Sequence, residues 1–142
     1  MRLALLKKGA GFMKKFFVPS RVWVGCGALS AFFAVALGAF GAHALAEKLD
    51  ERMLAVFQTG SHYHLVHALA LVIFGLWCEH KKAATAFPGW AFGIGTFLFS
   101  GSLYALAITG VRTLGMITPV GGILFLMGWL VWSYDALLAK KK

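Results

Sequence analysis

At 142 residues, with 60% hydrophobic and 13% charged side chains and a mean hydropathy of +0.77, the chain is too apolar for a water-soluble domain, where about a quarter of residues are charged. Its formal net charge of +9 is held in the termini and connectors, which excludes the basic face of a nucleic-acid binder and fits the orientation of a membrane protein. Two cysteines, Cys26 and Cys78, are too few for a disulfide framework and are expected as small core residues.

Residues Met1–Ser20 read as a basic amphipathic extension. On a helical wheel Lys7, Lys8, Lys14 and Lys15 fall on one side, with Leu5, Phe12, Met13 and Phe16 opposite. Such a helix lies on an anionic inner leaflet; the alternative is a disordered basic tail. The apolar runs are too short for a secretory signal peptide. Residues 21–138 then carry four apolar segments, and a spanning helix needs roughly 20 such residues. They run over about Val22–Leu45, Tyr63–Cys78, Pro88–Thr109 and Thr118–Leu138. The second is the shortest and is expected to draw Ser61 and His62 into its first turn. Pro88 and Pro119 stand at tolerated helix-start positions. Residues 139–142 form a basic tail. The fold expected is all-α: a polytopic membrane protein with a four-transmembrane-helix bundle.

Four spans bring both termini to one face. That face would carry Arg2, Lys7, Lys8, Lys14, Lys15, Arg21, Lys81, Lys82, Lys140, Lys141 and Lys142, eleven of the 14 basic residues; Lys48, Arg52 and Arg112 make up the other three. The positive-inside rule therefore predicts cytoplasmic termini in a bacterial inner membrane. Trp23, Trp77, Trp90 and Trp132 fall near the same helix ends, with Trp129 deeper. Small residues mark expected packing seams: Gly27, Ala31, Ala34, Gly38 and Ala42 in the first span, and Gly89, Gly93, Thr96 and Ser100 in the third. A faint repeat lays AVALGAFGAHAL over GTFLFSGSLYAL.

The connector Ala46–Gly60 has Leu49, Met53, Val56 and Phe57 at helical spacing. This predicts a short amphipathic helix on the outer surface, with Gln58 above the histidines, acting as a lid or as a plain connector. No Asp, Glu, Lys or Arg stands at the centre of a span, so carboxylate-driven exchange is not expected. The titratable groups at membrane depth are histidines and tyrosines.

Polar side chains converge on the outer half of the spans: His43, then His62, Tyr63, His64 and His67, then Ser100, Ser102 and Tyr104, then Thr118. Three readings are open. Interhelical hydrogen bonds among such groups hold bundles together by roughly 1 kcal/mol each. A polar site between helices also suits a small molecule, ion or lipid. Finally, His64 and His67 are three apart on one helical face, and with His43 they offer a metal ligand set.

Four motifs in order, LGAFGAHAL, QTGSHYHLVHALAL, FSGSLYALAI and TPVGGILFLMGW, resemble the YgdD/YwdK-like inner-membrane proteins, the domain of unknown function 423 family, which is related to transmembrane protein 256-like proteins. The resemblance covers about Arg21–Asp135 and implies a small four-helix inner-membrane protein without assigning a reaction. Carried over position by position, it marks His43; Gln58, Gly60, Tyr63 and His67; Ser100, Gly101, Ser102 and Tyr104; and Thr118, Pro119, Gly121 and Gly122. His62 and His64 fall at open positions, which weakens the metal reading and suggests headgroup-level caps.

The expected ligand-binding set is therefore His43, Gln58, Tyr63, His67, Ser100, Ser102, Tyr104 and Thr118, with His43 and His67 as the titratable pair. The expected role is binding or moving a small ligand, ion or lipid, without a cofactor, in a homo-oligomer. A structural or accessory subunit is the alternative. No nucleophile-and-base arrangement points to an enzyme.

Overall fold

The computed structural model describes residues 18–80 and 85–138. The proposed N-terminal interfacial helix, Lys81 and Lys82, and the basic tail lie outside these residues, except for Val18, Pro19 and Ser20. Four long helices make up the described chain. Helix α1 covers Ser20–Phe40 and runs on through a π-helical turn, Gly41–Leu45. Helix α2 covers Glu51–His80, α3 Phe87–Thr109 and α4 Thr118–Leu138. A 3-10 turn at Arg112–Met116 precedes α4. All four are long and apolar enough to cross a membrane.

Local chemistry sets the helix ends. The Asp50 carboxylate accepts the Met53 backbone N–H at 2.8 Å, an N-terminal cap on α2. The Thr85 hydroxyl accepts the Phe87 N–H at 3.1 Å ahead of Pro88. Helix α3 stops at Gly110, whose φ of 71° is left-handed and whose N–H donates to the Leu106 carbonyl.

The Asp50 cap changes the reading of the connector. The expected amphipathic surface helix and the second span are one helix of 30 residues, about 45 Å long. No breaker interrupts it. Gly60 is held against Leu103 and Tyr104 of α3, so tertiary packing offsets its weak helix propensity. His64 and His67 therefore stand in the middle of α2 and not at its start.

The extensive helix contacts are α1 with α2, α2 with α3, and α3 with α4. The central pair has 39% of its hydrophobic windows buried and the flanking pair 17%, so α1 and α4 present most of their surface outward. Helices α1 and α2 approach through reciprocal glycines. A Cβ on Gly27 would lie 2.7 Å from the Val72 backbone nitrogen, and one on Gly75 2.8 Å from that of Val24. Only a residue without a side chain permits that spacing.

Two apolar cores result. One, near the end that carries Ser20 and Leu138, joins Trp23, Leu71, Phe74, Phe92 and Phe125, with Trp77 and Trp132 packed on it. The other, at the connector end, joins Leu45, Phe57 and Ala107. Leu49 and Val56, expected on the apolar side of the connector, pack on this second core. Two expectations of core packing are corrected: Cys26 is exposed, and Gly93 is open, with nothing within 4 Å of a Cβ built on it. Both face outward because α1 and α3 share α2 as a neighbour without filling the seam between themselves.

Candidate functional site

The two buried histidines belong to separate networks on adjacent faces of α2. His64 is 9% exposed and reaches α1 and α3. Its Nε2 is 3.0 Å from the Ser30 hydroxyl and its Nδ1 is 3.2 Å from the Tyr104 hydroxyl. Each hydroxyl can donate or accept, so this chain of three groups is compatible with either tautomer of the ring. Ser61, one turn earlier on α2, donates to the Ala34 carbonyl at 3.4 Å. His64 is thus a bridge across three helices, not a headgroup cap.

His67 is 4% exposed and faces α3 and α4. Trp129 Nε1–H donates to its Nε2 at 3.2 Å, and its Nδ1 is 2.9 Å from the Tyr63 carbonyl. An indole only donates and a carbonyl only accepts. The ring must therefore be neutral, with its proton on Nδ1. Phe125 stacks on it with centroids 3.4 Å apart, and Tyr63 lies parallel to it at 6.1 Å. All polar capacity of this imidazole is used, and aromatic surface encloses it.

A third contact ties α3 to α4. Ser102 donates to the Phe99 carbonyl at 2.9 Å, so the Thr118 hydroxyl supplies the hydrogen in their 2.8 Å pair. Ser100 differs from all of these. Its hydroxyl is fully buried, at 1% residue exposure, and has no hydrogen-bond partner among the described residues. Ser100 and Tyr104 are four apart on α3. Both are close to Gly60, one turn before His64: a Cβ built there would lie 3.4 Å from the Ser100 carbonyl and 3.2 Å from the Tyr104 ring.

The remaining expected residues stand elsewhere. His43 is exposed in the π-helical turn, and Gln58 is exposed on the first half of α2. The antiparallel register explains the separation of His43 from His67. Gly41 packs against Phe57, so His67, ten residues further along α2, is about 15 Å deeper. His43 and His67 thus do not pair. Nor do His43, His64 and His67 form a ligand set: among the described residues no group of three metal-binding side chains occurs. Both nitrogens of each buried ring are already engaged. The polar residues are staggered along the bundle from Thr118 to Trp129 rather than gathered at one depth.

Sequence reasoning missed Ser30 and Trp129, which complete the two histidine networks. Their signal was weak. One serine among small residues looks like a packing position, and one tryptophan in a row of them looks like an interfacial anchor.

The family described as "Protein of unknown function (DUF423)" matches residues 37–122, more than half of the chain. The chain belongs to the DUF423 family. It is 40% identical over 128 residues to the UPF0382 inner membrane protein YgdD of Escherichia coli, an alignment covering 88% of this chain and 96% of that one. Against the UPF0382 membrane protein YwdK of Bacillus subtilis it is 41% identical over 113 residues, 78% and 92% of the two chains. A Staphylococcus epidermidis UPF0382 membrane protein is 44% identical over 111 residues, 78% of this chain and 91% of its own. No solved structure matches. With four candidate spans, this DUF423 protein is a multi-pass inner-membrane protein. The matched range includes His64, His67, Ser100 and Tyr104, and leaves Ser30 and Trp129 outside it.

Proposed function

We propose that this DUF423 protein binds a small hydrogen-bonding ligand, a small molecule, ion or lipid component, beside His64 in the middle of the bundle. The observation carrying this reading is the Ser100 hydroxyl. A buried hydroxyl without a partner costs about 1–3 kcal/mol. Its residue packs by the backbone carbonyl against Gly60 of α2, one turn before His64, and stands one turn before Tyr104 on α3. Ser100 and Tyr104 remain from the set expected on sequence grounds, and His64 takes the position given there to His43 and His67. Four helices enclose little room, so movement of a ligand across the membrane would require a homo-oligomer.

A second reading has its own support. His67 and the Ser102–Thr118 pair are fully satisfied by the protein itself. Groups of that kind fasten helices and leave nothing for a ligand.

One experiment separates the readings. Purify the parent, Ser100→Ala and His64→Gln in detergent, and screen small polar molecules, ions and phospholipids for a rise in unfolding temperature. The binding reading expects a compound that stabilises the parent and fails to stabilise either variant. If nothing stabilises the parent, His64→Gln melts earlier and Ser100→Ala melts no earlier than the parent, the polar network is structural.

A further inference from the structure

Helix α2 turns one stripe away from the other three helices. Ala55, Thr59, His62 and Val66 are exposed along it, and Leu69, Ile73 and Leu76 continue it inward. The steps between them are four, three, four, three, four and three residues, a heptad seam kept through three repeats. Its two sets of positions differ in kind. Thr59, Val66 and Ile73 are all β-branched, while Ala55, His62, Leu69 and Leu76 alternate with them and are not. A β-branched residue at the first heptad position, with leucine at the other, favours a parallel pair of helices.

Depth singles out His62. A Cβ on Gly60 would lie 3.2 Å from Leu103 and from the Tyr104 ring, so these residues are level. From there α3 runs outward to the exposed Ile108, and α2 runs the opposite way. Ile108 is therefore about 10 Å further out than His62. Lipid-facing apolar surface thus extends well beyond an imidazole too short to reach the headgroups. Hydrocarbon offers no hydrogen-bond partner, and ionisable groups at membrane depth face protein. The histidine hydrogen bonds of α2 belong to His64, His67 and His80; His62 makes none with the described residues. Its ring meets Tyr63 edge-on, with centroids 5.6 Å apart.

We propose that this stripe is the interface with a second copy of the chain, packed parallel about a two-fold axis along the membrane normal. Such an axis sets each residue at the depth of its own counterpart, so the two His62 rings face each other. A neutral imidazole carries one donor and one acceptor, which makes the pair self-complementary: the N–H of one ring donates to the bare nitrogen of the other. No charged residue stands between Arg52 and Glu79, so the stripe calls for no partner of opposite charge. Ala55 and Thr59, small and four apart, let the two backbones close beside the histidines. The Thr59 hydroxyl already donates to the Ala55 carbonyl at 2.9 Å and needs no further partner. The interface does not depend on the reading given to Ser100 and His64.

Cysteine cross-linking of the full chain in isolated membranes tests the assignment. In a Cys26→Ala, Cys78→Ala background, Val66→Cys and Ile73→Cys should each give a disulfide-linked dimer on oxidation. Phe33→Cys on α1 and Ile123→Cys on α4, both exposed, should stay monomeric. Absence of dimer at the α2 positions, or equal yield at Phe33 or Ile123, overturns the proposal. A second measurement uses purified chains with donor or acceptor fluorescent proteins fused after Lys142, in phosphatidylcholine vesicles. Energy transfer should be present and should fall as unlabelled parent is added. His62→Phe, which keeps a ring without its nitrogens, should weaken association at least fivefold, and His62→Gln should stay within twofold of the parent. No transfer between parent chains would give the stripe to a different protein and overturn the proposal, as would His62→Phe associating as tightly as the parent.

Discussion

Trp129 Nε1 lies 3.2 Å from His67 Nε2, and the direction of that hydrogen bond decides the state of the ring. The donor cannot reverse, so Nε2 keeps its lone pair and Nδ1 keeps the proton for the Tyr63 carbonyl. A second proton on the imidazole would set two donors against each other inside an aromatic cage. His67 is therefore a fixed strut between α2 and α4.

The first prediction tests that strut. Trp129→Phe keeps an aromatic ring but leaves Nε2 buried without a donor. Stability in detergent should fall by about 1–3 kcal/mol. Imidazole nitrogen shifts measured by NMR should report the neutral Nδ1–H form in the parent. A charged His67 in the parent near neutral pH would refute the assignment.

Tyr104→Phe isolates the His64 network. It removes the hydroxyl 3.2 Å from Nδ1 while Phe57 still packs against the ring at a tilt of 45°, with centroids 4.7 Å apart. A double-mutant cycle with His64→Gln should give a coupling of about 0.6–1.7 kcal/mol, the range of interhelical hydrogen bonds in membranes. Strict additivity would mean that the two side chains act independently.

Glycine substitutions should divide by packing. Gly75→Leu drives a side chain into the backbone of α1, where even a Cβ would lie 2.8 Å from Val24 N. Loss of about 3 kcal/mol or more is expected, at the upper end of overpacking effects. Gly25→Ala meets open space and should be neutral or stabilising by up to about 1 kcal/mol. Unfolding midpoints for the two variants in one detergent make the comparison.

Orientation is checked independently of stability. The distribution of eleven basic residues against three predicts both termini in the cytoplasm. A fluorescent or phosphatase reporter fused after Lys142, and a cysteine at Lys48→Cys labelled from outside intact cells, should agree. Labelling of that cysteine only after lysis would reverse the topology.

The sequence alone was enough for the four spans, because apolar runs near 20 residues are costly to leave in water and need no tertiary information to recognise. It also carried the proline starts and the family motifs. It did not reveal that Asp50–His80 forms one capped helix, since a charged stretch beside an apolar one reads as surface connector beside membrane span. Residue spacing put His64 and His67 on neighbouring faces of α2, but spacing cannot say which helix lies opposite each face.

That choice belonged to the tertiary structure. Gly27 and Gly75 bring α1 so close to α2 that Ser30 meets His64. The α3–α4 packing, with Phe125 stacked on His67, brings Trp129 to the neighbouring face of α2. Residues 34 and 62 positions apart in the chain became hydrogen-bond partners, while His43 and His67 did not. Hydrophobicity is a property of each segment, so it is legible in one dimension. Hydrogen-bond partnership depends on the register and rotation of packed helices, which exist only once the bundle has formed.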